Sequence, residues 1–203
     1  ALLKQMPVGV LRTLMGQASF QLMVATAQSV SGERLEAERI VAAVQEKAKA
    51  DPLTLGAQQQ MELAGLLLSM GRSVEAESYY RSAARIDAGN VIAWEGLLGV
   101  LLQTSRDEAA YEALRAIPAK TYEEGLARPN FLRSAALLQS KFGRPEKAEE
   151  LLARLLKSDI PAPERSSALL MMASTLLAKG DAVQADEMAS RLVESDPLNS
   201  DAW

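Results

Sequence analysis

The chain contains no cysteine and no histidine among its 203 residues. Their absence excludes disulfides, thiolate nucleophiles, imidazole bases and every zinc site that is built from Cys and His. Aromatic residues make up 4% of the sequence, and no apolar run approaches the roughly 18 residues that a membrane-spanning helix needs. We therefore expect no cofactor, no metal and no membrane contact by this segment.

The charge of the chain is close to balanced, with 22 Lys and Arg against 26 Asp and Glu and a net charge of −4. A nucleic-acid-binding protein needs a basic face, so nucleic acid is not expected as a partner. Ala, Leu, Glu and Arg are abundant, and β-branched residues never alternate over the length of a strand. This composition favours a protein that is built of helices.

A glycine followed five residues later by an alanine recurs along the chain and indicates an internal repeat. The pairs are Gly32 and Ala37, Gly71 and Ala76, Gly143 and Ala148, and Gly180 and Ala185. This spacing resembles that of the tetratricopeptide repeat (TPR), a unit of about 34 residues with two helices, A and B. In such a unit the glycine allows the tight turn between the helices, and the alanine allows their close approach.

The frame predicts five repeats and the beginning of a sixth. The repeats are 18–51, 57–90, 91–124, 129–162 and 166–199, and the truncated sixth starts at 200. The third repeat has Ser105 in place of the turn glycine. The sequence therefore predicts an all-α, right-handed TPR solenoid as a single array over 1–203, taken from a longer protein. A generic helical bundle on the same amphipathic helices is the alternative.

A longer repeat with a period of 111 residues overlies the first. It relates segment 3–7 to 114–118, Phe20 to Phe131, Ala25 to Ala136 and Gly32 to Gly143. Each period holds three TPRs and an insert, which is 7–16 in the first copy and 118–128 in the second. Proline followed by spaced apolar residues predicts a short extra helix in each insert, which would redirect the stack.

The chain around the second insert resembles a known family. The stretches that carry the resemblance are Ala93-Trp94-Glu95-Gly96-Leu97, Arg106-Asp107-Glu108-Ala109, Ile117-Pro118 and Phe131-Leu132. They are similar to the TPR region of cellulose synthase operon protein C, and the similarity covers most of Leu3–Leu155. The resemblance implies a periplasmic scaffold in bacterial cellulose or exopolysaccharide secretion, next to an outer-membrane pore. It also implies cellulose synthase complex subunits or peptidoglycan-associated envelope components as partners.

The residue types that could support catalysis form no motif. Carboxylates lie mainly on helix B beside Arg and Lys, which is typical of a solvated, salt-bridged face. No Gly-rich phosphate loop, nucleophile motif or metal-ligand spacing is present. We predict no catalytic residues and no enzymatic activity.

The aromatic residues are predicted to serve packing rather than sugar binding. Five occupy packing positions in the repeat frame, namely Phe20, Tyr80, Trp94, Phe131 and Trp203. The other four are scattered over different repeats, namely Tyr79, Tyr111, Tyr122 and Phe142. A glycan-binding track is therefore not expected.

The groove of a TPR stack is lined mainly by helix A, so the candidate binding residues are those at the groove-facing positions of each helix A. They are Gln58, Met61, Glu62, Glu95, Gly99, Asn130, Arg133, Leu170 and Met171. Arg133 is the one cation among them, whereas a clamp for a C-terminal carboxylate needs several, so such a clamp is excluded. Because Gly96 and Gly99 have no side chain, we predict that the backbone of a bound ligand can approach the helix closely there.

Two functions of different classes remain open. One is a periplasmic scaffold for polysaccharide secretion at the outer membrane, and the other is a peptide-binding TPR adaptor in a regulatory or assembly complex. Both are non-catalytic and take other proteins as partners. We also expect end-to-end self-association, because Met188 and Leu192 on the last helix B would lack a neighbouring repeat.

Overall fold

A computed structural model of the chain describes Leu14, residues 16–51 and residues 54–195. Within these ranges the chain forms eleven α-helices and no strand. They are α1 Ala18–Val30, α2 Arg34–Ala50, α3 Ala57–Ser69, α4 Ser73–Ile86, α5 Val91–Gln103, α6 Asp107–Ala116, α7 Ala119–Gly125, α8 Pro129–Lys141, α9 Pro145–Lys157, α10 Ala162–Lys179 and α11 Ala182–Ser195. The chain divides into two compact units, Ala1–Val100 and Leu101–Trp203.

Consecutive helices pack as hairpins, which are α1 with α2, α3 with α4, α8 with α9 and α10 with α11. The helices α1, α3, α5 and α8 begin at the first residues of the first four repeat frames. In the fifth repeat α10 begins four residues earlier, at Ala162 rather than Ser166. The proline at position 163 then lies in the first helical turn, where proline is tolerated. The all-α fold of TPR hairpins is confirmed.

The close approach of the paired helices depends on alanine. The alanines that follow the turn glycines are buried in all four pairs, with Ala37, Ala76 and Ala148 at 0% and Ala185 at 3% exposure. The helix A alanines Ala25, Ala64 and Ala136 are also at 0%. A larger side chain at these positions would force the helices apart, because the interior is close-packed.

The turns between helices A and B share one pair of backbone hydrogen bonds. In the second repeat the Arg72 N–H donates to the Leu67 carbonyl at 2.8 Å, and the Gly71 N–H donates to the Leu68 carbonyl at 2.9 Å. This is the Schellman motif, which needs a left-handed residue where Gly71 lies. The φ angles there are 84° at Gly32, 77° at Gly71, 71° at Gly143 and 84° at Gly180.

The third repeat makes the same turn without glycine. Ser105 has a φ of 55° and is the one non-glycine residue with positive φ in the described ranges. The Arg106 N–H still donates to the Leu101 carbonyl at 2.9 Å, and the Ser105 N–H to the Leu102 carbonyl at 3.1 Å. The left-handed conformation costs a residue with a Cβ roughly 1–2 kcal/mol. The third turn is therefore strained.

Replacing Ser105 with glycine is expected to stabilise the protein by about 1 kcal/mol, because the strain of the Cβ at positive φ is removed. The free energy of unfolding from urea titration measures the change. The reverse substitution Gly71→Ser is the matched control, and it should destabilise by a similar amount. A Cβ at Gly71 meets no atom within 4 Å, so the backbone conformation alone is altered. If the free energy of unfolding of Ser105→Gly equals that of the wild type, the turn at Ser105 is not strained.

A polar network in the first unit joins α2 to the start of α4. The Arg72 guanidinium donates to both Glu75 oxygens at 2.6 Å and to the Gln45 Oε1 at 3.0 Å. The Gln45 amide donates to the Glu75 carboxylate at 2.9 Å. The hydrogen bonds from Arg72 and Gln45 lower the pKa of Glu75. The network connects the first repeat with the second through the Gln45 side chain, which both donates and accepts a hydrogen bond.

The short helix α7 lies within the predicted insert 118–128 and packs on α8. A Cβ at Gly125 would come within 2.7 Å of the Phe131 Cε1. The rings of Tyr122 and Phe131 meet edge to face with their centroids 5.6 Å apart. Phe131 is 0% exposed. The buried ring of Phe131 thus joins the insert to α8. The first predicted insert, 7–16, lies almost wholly outside the described residues, as does the sixth repeat from 200.

The rings that are scattered in the sequence are paired in space. Tyr111 and Phe142 stack with their centroids 4.2 Å apart and their planes 2° from parallel, and Tyr122 pairs with Phe131. Helix packing therefore pairs three of the four aromatics that are scattered in the sequence, namely Tyr111, Tyr122 and Phe142. Each ring of the stacked pair has one face occupied by its partner.

The prediction that the apolar face of α11 is uncovered is also wrong for Leu192. Leu192 is 1% exposed and Met188 is half-buried. Leu192 is thus buried within the chain itself, although the last helix also packs on α10. Leu192 therefore gives no support to end-to-end self-association, which stays a prediction.

Candidate functional site

A groove in the first unit lies between α1 and α3, the A helices of the first two repeats. Its volume is about 500 Å³, within the range of about 300–1,000 Å³ that is usual for ligand sites. The residues that line it are Thr26, Ser29, Val30, Met61, Glu62, Gly65, Leu66 and Ser69. We call it groove 1.

The walls of groove 1 are apolar at depth. Met61 is 7% exposed and Leu66 is 4% exposed, whereas Val30 at the end of α1 is 85% exposed. The two helices are held together by the Gln59 amide, which donates to the Ser19 hydroxyl at 3.0 Å. Groove 1 therefore combines a buried thioether and isobutyl group with an exposed aliphatic rim.

Two of the three hydroxyl groups of groove 1 form hydrogen bonds within their own helices. The Thr26 hydroxyl donates to the Leu22 carbonyl at 2.9 Å, and the Ser69 hydroxyl donates to the Leu66 carbonyl at 2.7 Å. Each hydroxyl oxygen keeps acceptor capacity for a ligand.

Tyr80 of α4 lies beneath the glycine of groove 1. A Cβ at Gly65 would be 3.6 Å from the Tyr80 hydroxyl oxygen. Tyr80 is 9% exposed, and its burial, with a smaller effect from the charge of Glu95, raises the pKa of the phenol. The phenol therefore stays neutral at physiological pH, and its O–H is a donor beside the groove.

A second groove lies in the second unit between α8 and α10. Its volume is about 240 Å³, and it is lined by Leu137, Ser140, Leu170, Met171, Ser174 and Thr175. The Ser140 and Thr175 hydroxyls are 3.3 Å apart, and Thr175 donates to the Met171 carbonyl at 2.8 Å. None of these lining residues carries a charge. We call it groove 2.

The two grooves occupy equivalent places in the repeat pattern. The period of 111 residues relates Thr26 to Leu137 and Ser29 to Ser140. On the opposite wall the repeat frames relate Met61 to Leu170, Glu62 to Met171, Gly65 to Ser174 and Leu66 to Thr175. Each unit thus forms a groove at the same place in the repeat, with a different volume and lining.

Four of the nine candidate residues line these grooves, namely Met61, Glu62, Leu170 and Met171. Gln58 is exposed and donates to the Glu62 carboxylate at 2.9 Å. Glu95 is half-buried on α5, Gly99 is exposed on the same helix, and Asn130 and Arg133 are exposed on α8. These last four line neither groove.

The predicted opening at Gly96 is wrong. A Cβ there would lie 2.3 Å from the Tyr80 Cε1, so the space above Gly96 is occupied by the Tyr80 ring. A Cβ at Gly99 meets nothing within 4 Å. Gly96 therefore serves the packing of α4 on α5, and Gly99 faces open space.

The sequence reasoning missed the wall that the preceding helix A contributes. Thr26, Ser29 and Val30 of groove 1 and Leu137 and Ser140 of groove 2 belong to it. The signal that could have found these residues is the 111-residue period, which relates Ser29 to an identical Ser140.

Other kinds of site have no counterpart in the described part of the chain. No group of three or more Asp or Glu side chains is arranged to hold a metal ion there. Across those same residues, no helix is long and apolar enough to cross a membrane. Groove 1 and groove 2 are candidate ligand sites in this part of the chain.

Comparison with known proteins shows similarity in structure. No protein-family model and no curated protein matches the sequence. YrrB, described as a TPR protein with an unusual peptide-binding site, matches with a TM-score of 0.71, 17% identity and coverage of 91% of this chain and 89% of its own. A MamA protein matches with a TM-score of 0.69, 16% identity and coverage of 89% and 92%.

PilF of Pseudomonas aeruginosa matches with a TM-score of 0.65, 18% identity and coverage of 94% of this chain and 81% of its own. Identities this low show a shared fold and do not carry ligands from one protein to another. The matches establish the TPR fold.

Proposed function

We propose that the protein is a non-catalytic TPR adaptor that binds peptide segments of partner proteins in groove 1 and groove 2. The observation that carries the proposal is the occurrence of the same groove in both units, each with apolar walls and a few hydroxyl groups. Side chains of a bound peptide fit such walls, and its backbone can donate hydrogen bonds to the serine and threonine oxygens. The peptide-binding site that is ascribed to YrrB supports this proposal by analogy of fold.

The chemistry of the lining supports a binding role rather than catalysis. A nucleophile needs an adjacent base, and the Thr26, Ser69 and Thr175 hydroxyls donate to main-chain carbonyls instead. Glu62 is the one carboxylate in the two linings, so no acid–base pair is formed there.

The test fills each groove from within. Gly65→Leu places a side chain in groove 1, and Ser174→Leu does the same at the equivalent place in groove 2. A random heptapeptide library displayed on phage is selected against the wild-type protein, and the affinities of selected peptides are measured by fluorescence anisotropy. We expect each peptide to bind one of the two variants at least about tenfold more weakly than it binds the wild-type protein.

The matched control is Ser78→Leu, a change of similar size at an exposed position of α4 outside both grooves. It should leave the affinities unchanged. Failure to select any peptide, or binding that neither groove variant weakens, would overturn the proposal.

A finer proposal concerns location and partners. The resemblance to cellulose synthase operon protein C supports a periplasmic scaffold whose partners are cellulose synthase complex subunits or peptidoglycan-associated envelope components. The motifs that support it lie on α5, around Trp94, and at the link from α6 to α7, at Ile117-Pro118. Fractionation of cells that express the tagged full-length protein tests it, and recovery from the cytoplasm alone would overturn it.

A further inference from the structure

Glu62 differs from five glutamates on the B helices of its unit because it lacks a cationic partner. Five glutamates on α2 and α4 form ion pairs, which are Glu36 with Arg39, Glu38 with Arg34, Glu46 with Lys49, Glu75 with Arg72 and Glu77 with Arg81. Among the described residues Glu62 takes part in no ion pair. Its hydrogen-bond partner is the neutral amide of Gln58, at 2.9 Å.

The position of Glu62 makes this missing cation relevant to ligand binding. Glu62 is half-buried and is the one charged residue among the eight that line groove 1. The Gln58 amide donates a hydrogen bond to Oε1 of Glu62 and so orients the carboxylate. The second oxygen, Oε2, can accept a hydrogen bond from another donor.

The apolar part of groove 1 fits the stem of a basic side chain. Lys and Arg bury their methylene groups against apolar surface while the charged end stays at a polar group. Met61 and Leu66 form buried apolar surface next to Glu62, and methionine adapts its shape to what it contacts. Groove 1 thus offers an apolar channel that leads to a carboxylate.

Groove 2 provides the contrast within the same chain. The residue that corresponds to Glu62 is Met171, and the other lining residues are leucine, serine and threonine. A cation in groove 2 would lose water without meeting a counter-charge, which is unfavourable. An uncharged apolar side chain is the ligand that this lining fits.

We infer that groove 1 binds a peptide segment through a Lys or Arg side chain that pairs with Glu62, whereas groove 2 binds an uncharged apolar segment. The inference rests on the proposed peptide-binding function. It identifies the partner of groove 1 as a protein with an exposed basic residue in an extended, otherwise apolar segment.

The experiment presents one groove at a time to the heptapeptide library. Ser174→Leu leaves groove 1 open, and Gly65→Leu leaves groove 2 open. Peptides selected on the first variant should be enriched in Lys and Arg, and those selected on the second should not. For the best peptide of groove 1, replacement of its basic residue by norleucine should weaken binding about tenfold, as expected for a charge-assisted hydrogen bond.

A charge exchange between the grooves completes the test. Glu62→Gln should reduce the preference for lysine over norleucine to less than about twofold, while it keeps the size of the side chain. Met171→Glu, made with groove 1 filled, should create a preference for basic peptides in groove 2. The affinity of the wild-type groove 1 for its basic peptide should fall as salt is added, and that of Glu62→Gln should fall less.

The outcomes separate the two claims. Selection of peptides without any basic preference on groove 1, or a preference that survives Glu62→Gln, overturns the inference and leaves peptide binding intact. If neither open groove selects any peptide, the proposed function itself fails, and the inference fails with it.

Discussion

Replacing Phe131 with alanine is expected to lower the free energy of unfolding of the second unit by about 3–5 kcal/mol. Phe131 is 0% exposed, and its ring is in contact with both Tyr122 and the backbone at Gly125. Its loss leaves a cavity at the place where α7 packs on α8. We therefore expect the insert helix to detach before the rest of the unit unfolds.

Urea titration followed by circular dichroism gives the loss of stability, and hydrogen exchange gives the protection of amides in α7. Val183→Ala is the control in the same unit, because Val183 is 83% exposed and its truncation should change stability by less than about 0.5 kcal/mol. A loss below about 1 kcal/mol in Phe131→Ala, with protection of α7 retained, would show that the ring does not hold the insert.

Alanine substitutions at Gly96 and Gly99 are expected to change stability in opposite directions. A Cβ at Gly96 would lie 2.3 Å from the Tyr80 Cε1 and 2.6 Å from its Cδ1 and Cζ. Tyr80 is 9% exposed and has little room to move, so the overpacking should cost about 1–3 kcal/mol. Gly99→Ala meets no atom, and it should gain about 0.5–1 kcal/mol because alanine favours the helix.

The pair controls for helix propensity, since both residues lie in the interior of α5 and undergo the same change. Thermal or urea unfolding of the two variants beside the wild type measures the difference. Stabilisation by Gly96→Ala would mean that Tyr80 moves away at little cost. In that case peptide binding to groove 1 should change too, because the Tyr80 hydroxyl lies next to Gly65.

The features that sequence reasoning predicted well are those that local physics determines. Gly71 needs a positive φ to close its Schellman turn, and Ala76 needs a small side chain where two helices meet. Both requirements act within a few residues of chain and leave a pattern in the sequence. Even the exception was visible, because Ser105 stands where the glycine is missing and adopts the same positive φ.

The features that sequence reasoning missed depend on contacts between distant residues. Gly96 was predicted to be open for a ligand, and a ring sixteen residues earlier in the chain fills that space. Leu192 was predicted to lack a neighbour, and it is 1% exposed. In each case the sequence shows the residue type, but not what surrounds the residue in the folded chain.

The sequence by itself determined the class of fold, the succession of helix pairs and the turns between them, because turn geometry and helix contact select glycine and alanine at regular intervals. It also determined which side chains of helix A are available, including Glu62 and its counterpart Met171. The tertiary structure alone decided that these two belong to grooves. A groove has two walls, and the second wall comes from a helix that lies one repeat earlier in the chain.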